Sequence, residues 1–102
     1  MRDFTKLPLN WTQKVLTKAE LKKLPALYSQ DGKGENAMAL VHFFQGGYDF
    51  WASEFDPQEG TFFGVARLYE REMGYVSVDE LMSTHRMERD LYWTPKPLKD
   101  CK

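Results

Sequence analysis

Two apolar runs, Ala37 to Gln45 and Tyr48 to Phe55, flank the dipeptide Gly46-Gly47. Paired glycines can enter the positive-φ region that a two-residue turn demands, so the pattern predicts an antiparallel hairpin. Such a turn sets the register: Gln45 faces Tyr48, Phe43 faces Phe50, His42 faces Trp51 and Val41 faces Ala52. Side chains alternate along a strand, so one face carries Val41, Phe43, Phe50 and Ala52, and the other Leu40, His42, Phe44, Trp51 and Phe55. Both faces are substantially apolar. Either the sheet is covered on both sides or one side keeps an exposed aromatic patch.

After the hairpin, Asp56-Pro57-Gln58-Glu59-Gly60 has turn chemistry, and Thr61 to Tyr69 reads as a third strand. Gly64 inside it predicts a bulge or the close approach of another backbone. A short fourth strand is expected from Gly74 to Val76. Two capping boxes mark helices. Thr17-Lys18-Ala19-Glu20, with Leu16 and Leu21 as a hydrophobic staple, opens one from about Lys18 to Leu24, which Pro25 stops. Ser77-Val78-Asp79-Glu80, with Val76 and Leu81, opens another to about His85. Residues 1 to 15 read as an irregular N-terminal extension whose apolar side chains dock on the body. Tyr28 to Asn36 is a glycine-punctuated loop, and Arg89 to Leu98 is a short edge strand running into an extended tail that ends with residues 99 to 102. No strand-helix-strand unit of crossover length recurs. The expected fold is therefore α+β: one domain over residues 16 to 98, an antiparallel meander of four to five strands and two short helices.

Composition narrows the setting. The chain of 102 residues is 42% hydrophobic and 28% charged, with 15% aromatic residues, enough for a core without disulfide staples. Cys101 is the sole cysteine, so neither an internal disulfide nor a cysteine-based metal site is available, which favours a reducing compartment. No apolar run is long enough to span a membrane and the opening residues resemble no secretory leader, so the expected address is the cytoplasm. The net charge of -1 gives no broad field for nucleic acid or anionic lipid. Its distribution is uneven: residues 1 to 36 carry seven basic and four acidic groups (+3), residues 37 to 102 seven basic and eleven acidic (-4). The plain reading is a basic helix beside an acidic sheet.

Several segments occur in one order: Leu16-Thr17-Lys18, Lys23-Leu24-Pro25-Ala26-Leu27-Tyr28-Ser29-Gln30-Asp31-Gly32, Glu54-Phe55-Asp56, Phe62-Phe63-Gly64, Met73-Gly74-Tyr75-Val76-Ser77 and Glu88-Arg89-Asp90-Leu91. Together, over roughly Leu16 to Leu98, they resemble a bacterial family known only as domain of unknown function number twenty-nine fifty-eight. The resemblance implies a setting in plasmids, integrative elements and phages, near anti-restriction or DNA-processing genes, and brings no catalytic residues. Glu54, Asp56, Gly64, Gly74 and Arg89 to Leu91 sit in its shared motifs.

Candidate chemistry is sparse. Glu54 and Asp56 project to one side of an extended segment, as paired carboxylates for acid-base or metal work would, although an acidic pair entering a proline turn more simply serves the turn. A Mg²⁺ site would need further oxygens, such as Glu70 or Glu72. His42, opposite Trp51, reads as a satisfied histidine on an apolar face, and His85 as a C-terminal helix residue favoured by the dipole. The two have no recognised metal spacing. Asp31-Gly32-Lys33-Gly34 superficially suggests a phosphate cradle but precedes a strand rather than a helix. No nucleophile elbow, metal set or cofactor motif is present, and no cofactor or metal is assigned.

Tyr48, Phe50, Trp51, Phe63 and Tyr69 beside Arg67 would suit base stacking, and Gly60-Thr61-Phe62-Phe63-Gly64-Val65 faintly echoes an RNA-recognition strand, though the element order does not fit that fold. The leading expectation is a small non-enzymatic module of a mobile genetic element that binds a protein partner in DNA metabolism or defence. Single-stranded nucleic-acid binding, with Lys18, Lys22 and Lys23 assisting, and a metal-assisted hydrolase on Glu54 and Asp56 are the alternatives. A homodimer is compatible with each. Candidate binding residues are Tyr48, Trp51, Glu54, Asp56 and Arg67, and the burial of Trp51 and Tyr48 is the discriminating observation.

Overall fold

In the computed structural model, which describes residues 2–30 and 32–102, the elements run α1 (Lys18–Lys23), β1 (Met38–Ala39), β2 (Val41–Gln45), β3 (Tyr48–Asp56), β4 (Thr61–Arg67), β5 (Arg71–Ser77), α2 (Val78–Met82), β6 (Glu88–Arg89) and β7 (Lys96–Pro97). Single 3₁₀ turns occupy Gly34–Asn36 and Leu98–Asp100. Asp31 of the glycine-punctuated loop lies outside the described residues. The fold is α+β: an antiparallel sheet in the order β5-β4-β3-β2-β6, with β1 and β7 forming a separate two-stranded sheet. No helix among the described residues is long and apolar enough to cross a membrane.

The glycine turn sets the expected register, with Val41 opposite Ala52, His42 opposite Trp51, Phe43 opposite Phe50 and Gln45 opposite Tyr48. Gly46 takes φ +56°, a conformation that a side chain would strain. Both capping boxes form. The Thr17 hydroxyl accepts from the Glu20 N–H while the Glu20 carboxylate accepts from the Thr17 N–H, and Ser77 and Glu80 repeat the arrangement.

Alternation sorts the faces up to Ser53 and then changes phase. The β3–β4 pairing passes from Ala52 opposite Gly64 to Glu54 opposite Phe63, so Ser53 is the extra residue of a β-bulge. Phe55, which strict alternation places beside Trp51, therefore turns to the other face and packs with Phe62 at 4.4 Å between ring centroids. Leu40 also packs there, since it falls between β1 and β2 and donates its N–H to the Ala52 carbonyl opposite the bulge. Gly64 meets the expectation of a close backbone approach, while the bulge lies not at Gly64 but at Ser53 in the strand opposite. A Cβ on it would lie 1.9 Å from the Trp51 carbonyl oxygen, so the two backbones cross where no side chain fits.

Two cores follow. The first contains Val41, Phe43, Phe50, Phe55 and Phe62, covered by Val78 and Leu81 of α2 and by Phe4, Leu9, Val15 and Leu16 of the N-terminal segment. Residues 1 to 15, read from sequence as an extension, thus contribute fully buried side chains. Gln13 binds along the edge of β6, its Oε1 accepting from Arg89 N–H (2.8 Å) and its Nε2 donating to the Arg89 carbonyl (3.0 Å). The second core lies on the opposite face, where Trp51 and Val65 meet Ala37, Ala39, Leu98 and Cys101.

Several boundaries differ from the sequence expectation for local reasons. β4 ends at Arg67 and Leu68 to Glu70 form a turn, while β5 is longer than Gly74 to Val76. α2 stops at Met82, and His85 lies beyond it at φ +58°, its N–H reaching the Met82 carbonyl. The edge strand expected within Arg89 to Trp93 is confined to Glu88–Arg89, because the Asp90 carboxylate accepts the Tyr92 N–H and bends the chain. The residues around Cys101, read as tail, close the second core.

Two consequences can be measured. Gly64→Ala should cost about 2–4 kcal/mol, as overpacking against backbone does, and lower the melting temperature by at least about 10 °C; an unchanged melt would refute the close crossing. Burial pushes the Cys101 thiol up to about 11 from 9.0. At pH 8 it should react with a disulfide reagent about a hundredfold more slowly than in the urea-unfolded chain. Since the unfolded thiol ionises first, this contribution to stability is complete below pH 9 and fades as pH rises through about 11. Equal reaction rates in the two states would contradict the burial.

Candidate functional site

The five residues singled out by sequence do not form one site. Glu54 is buried at the end of β3, where the bulge turns it towards the loop after α1. One carboxylate oxygen accepts the Tyr28 N–H at 2.9 Å and the other the Gln30 N–H at 2.7 Å. Tyr28 takes φ +72°, an unusual conformation that lies between the two donated N–H groups. Gln30 completes the latch by donating to the Ser53 carbonyl and accepting from Met38 N–H. Asp56 is spent on the turn, accepting from Gln58 N–H at 2.9 Å. The two carboxylates share a side of the strand, as expected, yet each serves its own backbone donors. No three metal-ligating side chains converge among the described residues.

Trp51 and Arg67 belong to a polar network above the second core. The Trp51 ring is 3% exposed and stacks on His42 at 5.3 Å and 10° between planes. His42 Nδ1 lies 3.0 Å from an Asp90 oxygen and Nε2 lies 2.8 Å from an Asp49 oxygen. The second Asp49 oxygen accepts from the Arg67 guanidinium, which sits over the Trp51 ring at 5.8 Å. Trp93 closes the group, its ring 5.2 Å from His42 and its indole N–H donating to the Ala39 carbonyl. His42 is thus a satisfied histidine holding β2, β3 and the Asp90 turn together. Asp49 and Asp90 were missed by sequence reasoning. Asp49 was findable, since alternation puts it on the face of His42 and Trp51; Asp90 stood in a segment singled out by the resemblance, but its contact with His42 was not readable because the register of Glu88–Arg89 against β2 is set by no turn.

Tyr48 lies beside an open cleft. It is half-buried on the opposite face, with Ala66, Leu68, Tyr69, Glu70 and Glu72 around a cleft of about 430 Å³. Leu68 is 56% exposed and Tyr69 94%, both at the β4–β5 turn. Burial and the Glu80 carboxylate hold the Tyr48 hydroxyl above the usual tyrosine range. Turning Leu68 and Tyr69 out of the strand is what exposes them, and no glycine or proline announces that turn. No family model, curated protein or solved structure matches this chain.

The Glu54 latch has a direct test. Glu54→Gln leaves one oxygen and turns an NH₂ towards a backbone N–H, so urea unfolding should show a loss of about 1–3 kcal/mol. An unchanged midpoint would remove the latch from the account.

Proposed function

We propose that the protein is a non-enzymatic interaction module that binds a protein partner through the cleft beside Tyr48. The observation that carries this reading is the exposure of Leu68 and Tyr69 next to the half-buried Tyr48 around one concave site, whereas other exposed rings such as Trp11 and Tyr92 do not line it. Exposed apolar groups gathered at a concave site favour association, and aromatic residues anchor protein interfaces. The resemblance noted in the sequence supports the setting: a mobile genetic element in a bacterial cytoplasm, with a partner in DNA metabolism or defence.

The alternatives draw less support. Base stacking needs open rings beside free cations, whereas Trp51 is covered and Arg67 is engaged with Asp49. Tyr69, which is open, has Glu70 and Glu72 as cleft neighbours, and their charge opposes a phosphate backbone. A hydrolase using Glu54 and Asp56 would have to release both carboxylates from their backbone donors.

Immobilised protein incubated with bacterial lysate should retain a partner that is lost with Leu68→Asp and with Tyr69→Ala, while both variants melt like the wild type. Retention that is indifferent to both substitutions would defeat the proposal.

A further inference from the structure

We infer that the occupant of this cleft is a basic segment of the partner protein, one that sets an apolar side chain against the apolar lining and Lys or Arg side chains against the carboxylates. The inference rests on the docking reading above and adds the chemistry of what docks. The half-buried Tyr48 and Ala66 and the exposed Leu68 and Tyr69 give the lining its apolar part, and Glu70 and Glu72 give it carboxylates. Glu80 adds a third carboxylate where the adjoining hollow meets Tyr48 and Val76.

Among the described residues no cation neutralises these carboxylates. The nearest cations in sequence are Arg67 and Arg71, which lie opposite each other in the β4–β5 ladder. Strand alternation directs both to the Trp51 face, away from Glu72. There Arg67 pairs with Asp49, and Arg71 makes a two-pronged ion pair with Glu35 while donating to the carbonyls of Leu98 and Cys101. Among the described residues Glu70 and Glu72 make no ion pair. The arginines that alternate with them are thus committed to holding the C-terminal segment, and the cleft keeps an unpaired negative charge beside its apolar lining.

An incoming cation gains from two sources here. The two exposed carboxylates attract it, and the face of an exposed tyrosine ring attracts it as well. An acidic segment would meet like charge at these carboxylates, so the same residues supply both the attraction and the discrimination.

Two synthetic twelve-residue peptides provide the probe, one alternating Lys with Leu and the other Glu with Leu, titrated into ¹⁵N-labelled protein. The cationic peptide should shift the amides of Tyr48 and of residues 66 to 72, and its affinity should fall about tenfold or more between 50 mM and 500 mM salt. Glu70→Lys combined with Glu72→Lys should weaken it by at least about tenfold without changing the melt. The inference is overturned if the anionic peptide moves the same amides equally, if the cationic peptide leaves them unmoved, or if its affinity ignores the double charge reversal. It is overturned equally by a Leu68-dependent dimer of the protein alone in sedimentation, which would give the cleft to a second copy. A lysate partner that Leu68→Asp loses and the charge-reversed protein keeps would leave the docking reading standing and remove only the basic occupant.

Discussion

Where β4 crosses β3 at Gly64, the Trp51 carbonyl occupies the space a side chain would need, and two residues later Ser53 is extruded as a bulge. Much of the architecture depends on this crossing. Before it, alternation sends Phe50 and Ala52 to one core and Trp51 to the other. After it the phase is reversed, so Phe55 joins Phe62 in the first core and Glu54 is aimed at the loop behind the sheet. A regular strand would bury Glu54 among the phenylalanines and leave Phe55 facing the loop. The bulge lets one strand serve a hydrophobic core and a polar anchor in consecutive residues.

Polar side chains then do what short helices cannot. α1 buries no side chain, and α2 has only five residues, so neither can cover the sheet alone. Irregular segments take that role and are fastened by specific acceptors. Glu54 and Gln30 hold the loop after α1, Gln13 and Asn10 hold the N-terminal segment to residues 87 and 89, and His42 with Asp90 holds the turn that leads to the C-terminal segment. Buried carboxylates and amides of this kind are costly unless every lone pair and proton is met, which makes their pairing a constraint on where the loops lie.

How much was legible follows from the range of each interaction. The hairpin register, the two capping boxes and the crossing at Gly64 are encoded within a few residues, and the sequence stated them. The phase change at Ser53 was not legible, because a bulge of this kind depends on the partner strand; that apolar side chains of the N-terminal segment dock on the body was expected, but not where, since Phe4 meets Phe55 some fifty residues on. For the candidate site, Tyr48 was identified for its stacking potential, but Trp51, Glu54, Asp56 and Arg67 were each absorbed by structure. The residues that do open the cleft, Leu68 and Tyr69, look like the continuation of a strand. Only the geometry of the turn releases them.

The two-sided covering of β3 has a consequence for how the chain reaches its native state. Phe4 to Leu16 settle on one face and Trp93 to Cys101 on the other, so the central strand is complete only when segments far apart in the chain have both arrived. The consecutive hairpins β2–β3, β3–β4 and β4–β5 close short loops, whereas covering both faces of β3 needs segments distant in the chain. Partial structures would expose the aromatic strip of β3 to water and to one another, and the same covering that hides it in the native protein is the last protection to form.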